Sequence, residues 1–155
     1  MKAILAGMIA VALSSTSAAA SAASDLAAID ANYQTCVEKN PDNAGMKECT
    51  NKAYFEADKV LNKTYLSIAE ALRVKVPGDS ELDDQKEELK RLLASERAWI
   101  LYRDAECQLQ GVAMLGGSGE GLVIGGCLYS LTQKRARDLE DLFADRFHTE
   151  PLARP

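Results

Sequence analysis

Apolar residues return along this chain every three or four positions, and strict alternation never persists for more than a few residues. That period predicts helices and no sheet. The first helix runs from Ser24, a suitable N-cap with Asp25 near its positive end, to about Lys39. Asn40-Pro41-Asp42-Asn43-Ala44-Gly45 breaks it, since every residue there except Ala44 forms turns or interrupts helices. A second helix spans about Met46 to Val74, with Ala57, Leu61, Tyr65, Ile68 and Leu72 on its apolar face. Val76-Pro77-Gly78-Asp79 ends it, and Ser80 caps a third helix, with Asp83 three residues on as in a capping box. The third helix carries Leu82, Leu89, Leu92, Leu93, Trp99 and Ile100 and stops between Gly111 and Gly116. Gly116-Gly117-Ser118-Gly119-Glu120-Gly121 reverses the chain into a fourth helix, with Leu128, Leu131, Leu139, Leu142 and Phe143 on one face. The expected fold class is all-α: about four helices in two antiparallel hairpins.

The first residues read differently. Met1-Lys2 gives a short positive start, Ala3 to Leu13 is small and apolar, and Ser14 to Ala23 is rich in Ala and Ser. This is the pattern of a cleaved export signal, with cleavage after Ala22 or Ala23. The apolar run is too short for a membrane anchor, which needs about 20 residues. No cysteine stands at the cleavage point to carry a lipid. The expected organisation is a signal peptide over 1–23, a helical domain over 24–148 and a flexible tail over 149–155.

An exported chain meets an oxidising compartment, where four cysteines read as a disulfide framework. Cys36 and Cys49 stand about one helical turn to either side of the first break, and Cys107 and Cys127 flank the glycine loop. Residues at similar heights on antiparallel arms can meet, so Cys36 pairs with Cys49 and Cys107 with Cys127. Zinc fits poorly: there is no C-x-x-C and only one His. Removing Lys2 with the signal leaves 17 basic against 23 acidic residues, moving the net charge from -5 to -6. An acidic domain without a basic stripe is unsuited to nucleic acid and better matched to a cationic partner.

Arg97-Ala98-Trp99-Ile100-Leu101-Tyr102-Arg103-Asp104-Ala105-Glu106-Cys107 is the most specific stretch. It resembles the R-A-W-x-x-Y-R-D-A-E-C motif of the LprI-like lysozyme-inhibitor family. Cys127-Leu128-Tyr129-Ser130-Leu131-Thr132-Gln133-Lys134-Arg135-Ala136 is similar to the family's C-x-x-x-L-T-x-x-R-A segment, and Gly116-Gly117-Ser118 to its G-G-S loop. Upstream, Ala57-Asp58-Lys59-Val60-Leu61-Asn62-Lys63-Thr64-Tyr65 resembles its A-D-x-x-L-N-x-x-Y helix. One departure is Glu96, where the pattern has Gln. The resemblance implies an exported, disulfide-bonded helical protein of the bacterial envelope, periplasmic or secreted. It implies a protein partner, with a cationic lysozyme as the leading candidate, and no cofactor.

No catalytic constellation accompanies these motifs, so the chain reads as a binding protein and not an enzyme. Trp99 to Arg103 is i, i+4, close enough for a cation–π contact, and Arg103 to Cys107 repeats that spacing. Trp99, Tyr102, Arg103, Asp104, Thr132 and Arg135 therefore read as structural, with Trp99 packed on the Cys107–Cys127 bridge. Arg103, Asp104, Arg135 and Asp138 form an expected ion-pair cluster between the third and fourth helices. Asp83, Asp84, Glu87 and Glu88, interleaved with Lys86, Lys90 and Arg91, read as a solvated helix start and not as a metal site. Gly116, Gly117, Ser118, Gly119 and Glu120 have two readings: a stapled loop offered to a partner's cleft, or a plain connection of small residues. The alternative function is an envelope structural or stress-related interaction protein without lysozyme affinity.

Overall fold

In the computed structural model, which describes residues 21–73 and 79–147, helices α1 (Ala22–Lys39), α2 (Asn43–Ala71), α3 (Asp79–Gly111) and α4 (Glu120–Phe147) form two hairpins. A single 3₁₀ turn, Val112–Met114, leads from α3 into the glycine loop. Residues 1–20 of the expected signal peptide, the expected Val76-Pro77-Gly78 break and the expected tail over 149–155 lie outside the described residues. No strand occurs among those described. Both expected bridges are present, Cys36–Cys49 with a Cα–Cα distance of 5.7 Å and Cys107–Cys127 with 5.4 Å.

The helix starts differ from expectation because other side chains supply the caps. Ser21, and not Ser24, caps α1: its hydroxyl accepts the Ser24 N–H, and Glu140 of α4 accepts those of Ala22 and Ala23 at 2.9 and 3.2 Å. Asp42 caps α2 three residues early by accepting the N–H groups of Ala44 and Gly45, each at 3.0 Å. Those bonds, the Gly45 one foremost, hold the Asp42 carboxyl below its ordinary range. Helix α3 begins at Asp79, one residue before the expected cap position Ser80.

Helices α2 and α4 form the most extensive pair, with α1 packed chiefly on α2 and α3 on α4. They run parallel to each other, since Ser118, Gly121 and Gly125 meet Asn43, Lys47 and Thr50 in turn. The two backbones come close there: a Cβ added to Gly125 would lie 3.2 Å from Thr50. Ala53, Ala57, Val60, Leu61, Ile68 and Ala69 of α2 are buried with Tyr129, Ala136 and Leu139 of α4. Tyr65 and Phe143 are half-buried against this core, whereas Leu142, expected on the same face, is exposed. In α3, Leu92 is buried and Leu89 and Trp99 half-buried, but Leu93 and Ile100 stay exposed along the groove between α3 and α2. The apolar positions of α3 outnumber those its single packed face can cover.

A polar network fastens α1 to α4. Asp30 Oδ1 accepts from the Tyr129 hydroxyl at 2.6 Å and from Gln133 Nε2 at 2.7 Å. The Tyr129 ring lies 5.4 Å from that of Tyr33, and burial, reinforced by the Asp30 contact, pushes its phenol pKa well up. Asp30→Ala should therefore cost about 1–3 kcal/mol, because it leaves a buried hydroxyl unsatisfied. A raised folded-state pKa gives stability that is intact below the unfolded value, about 10, and falls as pH rises above it. Urea melts of both proteins from pH 7 to 11 check this: the parent should lose stability above pH ~10 and Asp30→Ala less so.

Candidate functional site

Both hairpin turns lie at one end of the bundle, and there the glycine loop is held in place by side chains. Gly116 has φ +73°, a left-handed conformation with open space around it, so backbone geometry and not packing selects glycine. Its N–H donates to Glu120 Oε2 at 2.9 Å, which turns that carboxylate back into the loop at the start of α4. The Gly117 N–H donates to the Met114 carbonyl at 2.8 Å. Asn43 Nδ2, from the other hairpin, donates to Ser118 Oγ at 3.1 Å, which leaves the serine proton free to donate outward. Gly117, Ser118, Val112, Met114 and Leu115 are exposed, so the loop forms a polar tip beside an apolar shoulder.

The R-A-W motif builds a second arrangement, midway along α3. Arg103 is buried, with its guanidinium 5.1 Å from the Trp99 ring centre and 5.6 Å from that of Tyr54 on α2. It donates to Asp104 at 2.8 Å and reaches Asp58 at 3.6 Å. Burial pushes the Tyr54 pKa up, against the opposing pull of Arg103. Arg135 of α4 lies 5.9 Å from the Trp99 ring centre, donates to Ser95 Oγ at 2.8 Å and pairs with buried Glu96. The expected four-residue ion cluster therefore does not form. Arg103 looks to α2, Arg135 takes Glu96, and Asp138 pairs with Lys134 one turn away at 2.7 Å.

Trp99 does not sit on the disulfide. Eight residues separate it from Cys107, about 12 Å of helical rise, and helical side chains lean toward the N-terminus. Instead it is half-buried between two guanidinium groups. Tyr102 is exposed on the outer face of α3, away from the core. Thr132 is fully buried, and its hydroxyl has no hydrogen-bond partner among the described residues. Glu87 pairs with Arg91 and Lys90, the Arg91 hydrogen bond foremost in lowering its pKa. No group of His, Cys, Asp or Glu among the described residues is arranged to hold a metal ion.

A helical domain of two stapled hairpins, with an ordered loop at one end, belongs to the class of small disulfide-bonded all-α domains. Residues 36–139 match the family model described as lysozyme inhibitor LprI, and the chain belongs to that family. It is 40% identical over 98 residues to the uncharacterized protein R02472 of Rhizobium meliloti, covering 61% of this chain and 68% of that one. It is 30% identical over 141 residues to the uncharacterized protein YecT of Escherichia coli, covering 84% and 83%. No solved structure matches it.

Sequence reasoning passed over Glu96, Asn43 and Asp58. Glu96 stood out only as a departure from the family pattern, yet the acid in place of the amide turns its contact with Arg135 into an ion pair. Asn43 read as a turn former, and nothing local announces a partner 75 residues away. Arg135→Ala should cost about 3 kcal/mol, because it strands a buried carboxylate. Glu96→Gln, which keeps a hydrogen-bond acceptor for Arg135, should cost clearly less. Equal losses in urea denaturation would show that the pair is not what these residues contribute.

Proposed function

We propose that this protein is exported, is processed after Ala22 or Ala23, and acts by binding, inhibiting a lysozyme by inserting the Gly116–Glu120 loop into its cleft. Family membership supports the inhibitor reading. The loop's internal bonds support its location, since a loop ordered in advance loses less entropy on insertion. Lysozyme's cleft carries two carboxyl groups. The Ser118 hydroxyl and free loop N–H groups are the donors that would meet them, while Glu120 holds its own carboxylate against the Gly116 N–H. Val112, Met114 and Leu115 provide apolar area beside that polar tip.

Export is supported by the N-terminal pattern and by the two disulfides, which suit a periplasmic or secreted protein. No helix among the described residues is long and apolar enough to cross a membrane. Processing after Ala22 removes the Ser21 cap and the Ala22 N–H that Glu140 accepts, and processing after Ala23 removes both of the N–H groups that Glu140 accepts.

The test is a lysis assay. Excess protein should suppress lysozyme action on peptidoglycan, and suppression should weaken with salt, because exposed charges are screened over about 8–10 Å. Ser118→Asp should weaken inhibition by adding a carboxylate beside the enzyme's pair, with the melting temperature unchanged. No inhibition at low salt and high excess would leave an envelope interaction protein as the reading. Inhibition that survives Ser118→Asp would move the contact away from the loop.

A further inference from the structure

The outer face of α3 is apolar for no reason internal to this fold. Leu92, Glu96, Trp99, Arg103 and Cys107 point into the molecule. On the opposite side, Ala94, Ala98, Leu101, Ala105, Leu109 and Val112 make one continuous exposed stripe at helical spacing. Leu101 is 73% exposed, Leu109 65% and Val112 55%. Such a contiguous apolar strip marks a contact surface.

We infer that this stripe is a self-association surface, on which two copies of the chain pair α3 against α3 in antiparallel, two-fold arrangement. The charges beside the stripe identify the occupant. Arg97 and Asp104 lie on the same flank, one heptad apart. Arg97 is exposed and has no ion pair or hydrogen bond among the described residues. Asp104 is held only by its neighbour Arg103. When two α3 helices run antiparallel with Ala98 facing Leu101 of the second copy, Arg97 stands opposite Asp104 of that copy. Two-fold symmetry repeats this pair, as an isologous interface requires. Ala94 then faces Ala105, and Ser95 on the other flank faces the exposed Tyr102.

The alternatives are worse on the same criterion. Sliding one copy by a heptad keeps the apolar seam but sets the two Asp104 carboxylates against each other. A parallel pair places Arg97 opposite Tyr102 and Asp104 opposite Leu109, which leaves both charges without a partner. Only the antiparallel register makes the surface complementary to itself in both shape and charge. The seam ends where Glu87 and Arg91, an ion pair within each copy, take over the same face.

Sedimentation equilibrium of the full disulfide-bonded chain should show a reversible dimer, with a dissociation constant on the order of 10 µM for so small an interface. Leu101→Gln should abolish it without lowering the melting temperature. Arg97→Glu and Asp104→Lys should each weaken it by at least ~10-fold, since each sets like charges face to face. An equimolar mixture of these two variants should dimerise again, because each copy then supplies the charge its counterpart lacks. A parent chain that stays monomeric at about 1 mM overturns the inference. So does a dimer indifferent to Leu101→Gln, or variants whose mixture does not recover, which would assign the stripe to a different partner or a different register.

Discussion

The close parallel approach of α2 and α4 is the constraint from which the remaining geometry follows. It is possible because α4 presents glycine there: Gly121 lies against the Lys47 side chain and Gly125 against Thr50 of α2. Helices that come this near leave no room for a side chain at Gly125 without displacing Thr50. The same contact brings the second hairpin's loop beside the first hairpin's turn, so that Asn43 can reach Ser118. The core mixes alanines with Leu26, Val60, Leu61, Ile68, Tyr129 and Leu139, and the Asp30 contacts to Tyr129 and Gln133 add a polar hold on α1.

Helix α3 is the outlying member. It packs on α4 and leaves a groove of about 380 Å³ between itself and α2, bridged by Arg103. Trp99 and its two guanidinium neighbours do there what aliphatic packing does elsewhere. The arginines supply stems that cover the ring and heads that find carboxylates on different helices. The motif that identifies the family is thus the device that positions its outermost helix.

The helices, the turns and the disulfide partners were legible because each depends on local pattern: a period of three to four, breakers at Asn40–Gly45 and Gly116–Gly121, and cysteines placed symmetrically about them. The caps were less so. Ser24 and Ser21 are equally good cap residues, and the choice was made by Glu140, which no local reading connects to them. Arg103 takes the expected Asp104, but its reach to Asp58 and the pairing of Arg135 with Glu96 were missed for a similar reason. Helical spacing says which residues share a face, but not which neighbouring helix that face meets. Leu93, Ile100 and Leu142 have the spacing of core residues and stay outside it because α3 and the end of α4 each have only one packed side. The glycine loop was visible as a loop; its order, which comes from Glu120 and Asn43, was not.

The two covalent links each join neighbours in sequence, 13 and 20 residues apart, and neither crosses between the hairpins. Short loops close quickly and with modest entropic cost, so either hairpin can acquire its bridge before the other exists. Wrong pairings need the ends of a much longer chain to meet and are slower to form. What remains for the last stage of folding is the docking of two pre-linked halves, held by packing and by non-covalent contacts such as Asp30 with Tyr129 and Asn43 with Ser118. Oxidation and assembly are therefore separable events, and the chain can complete the first in pieces while it is still becoming a bundle.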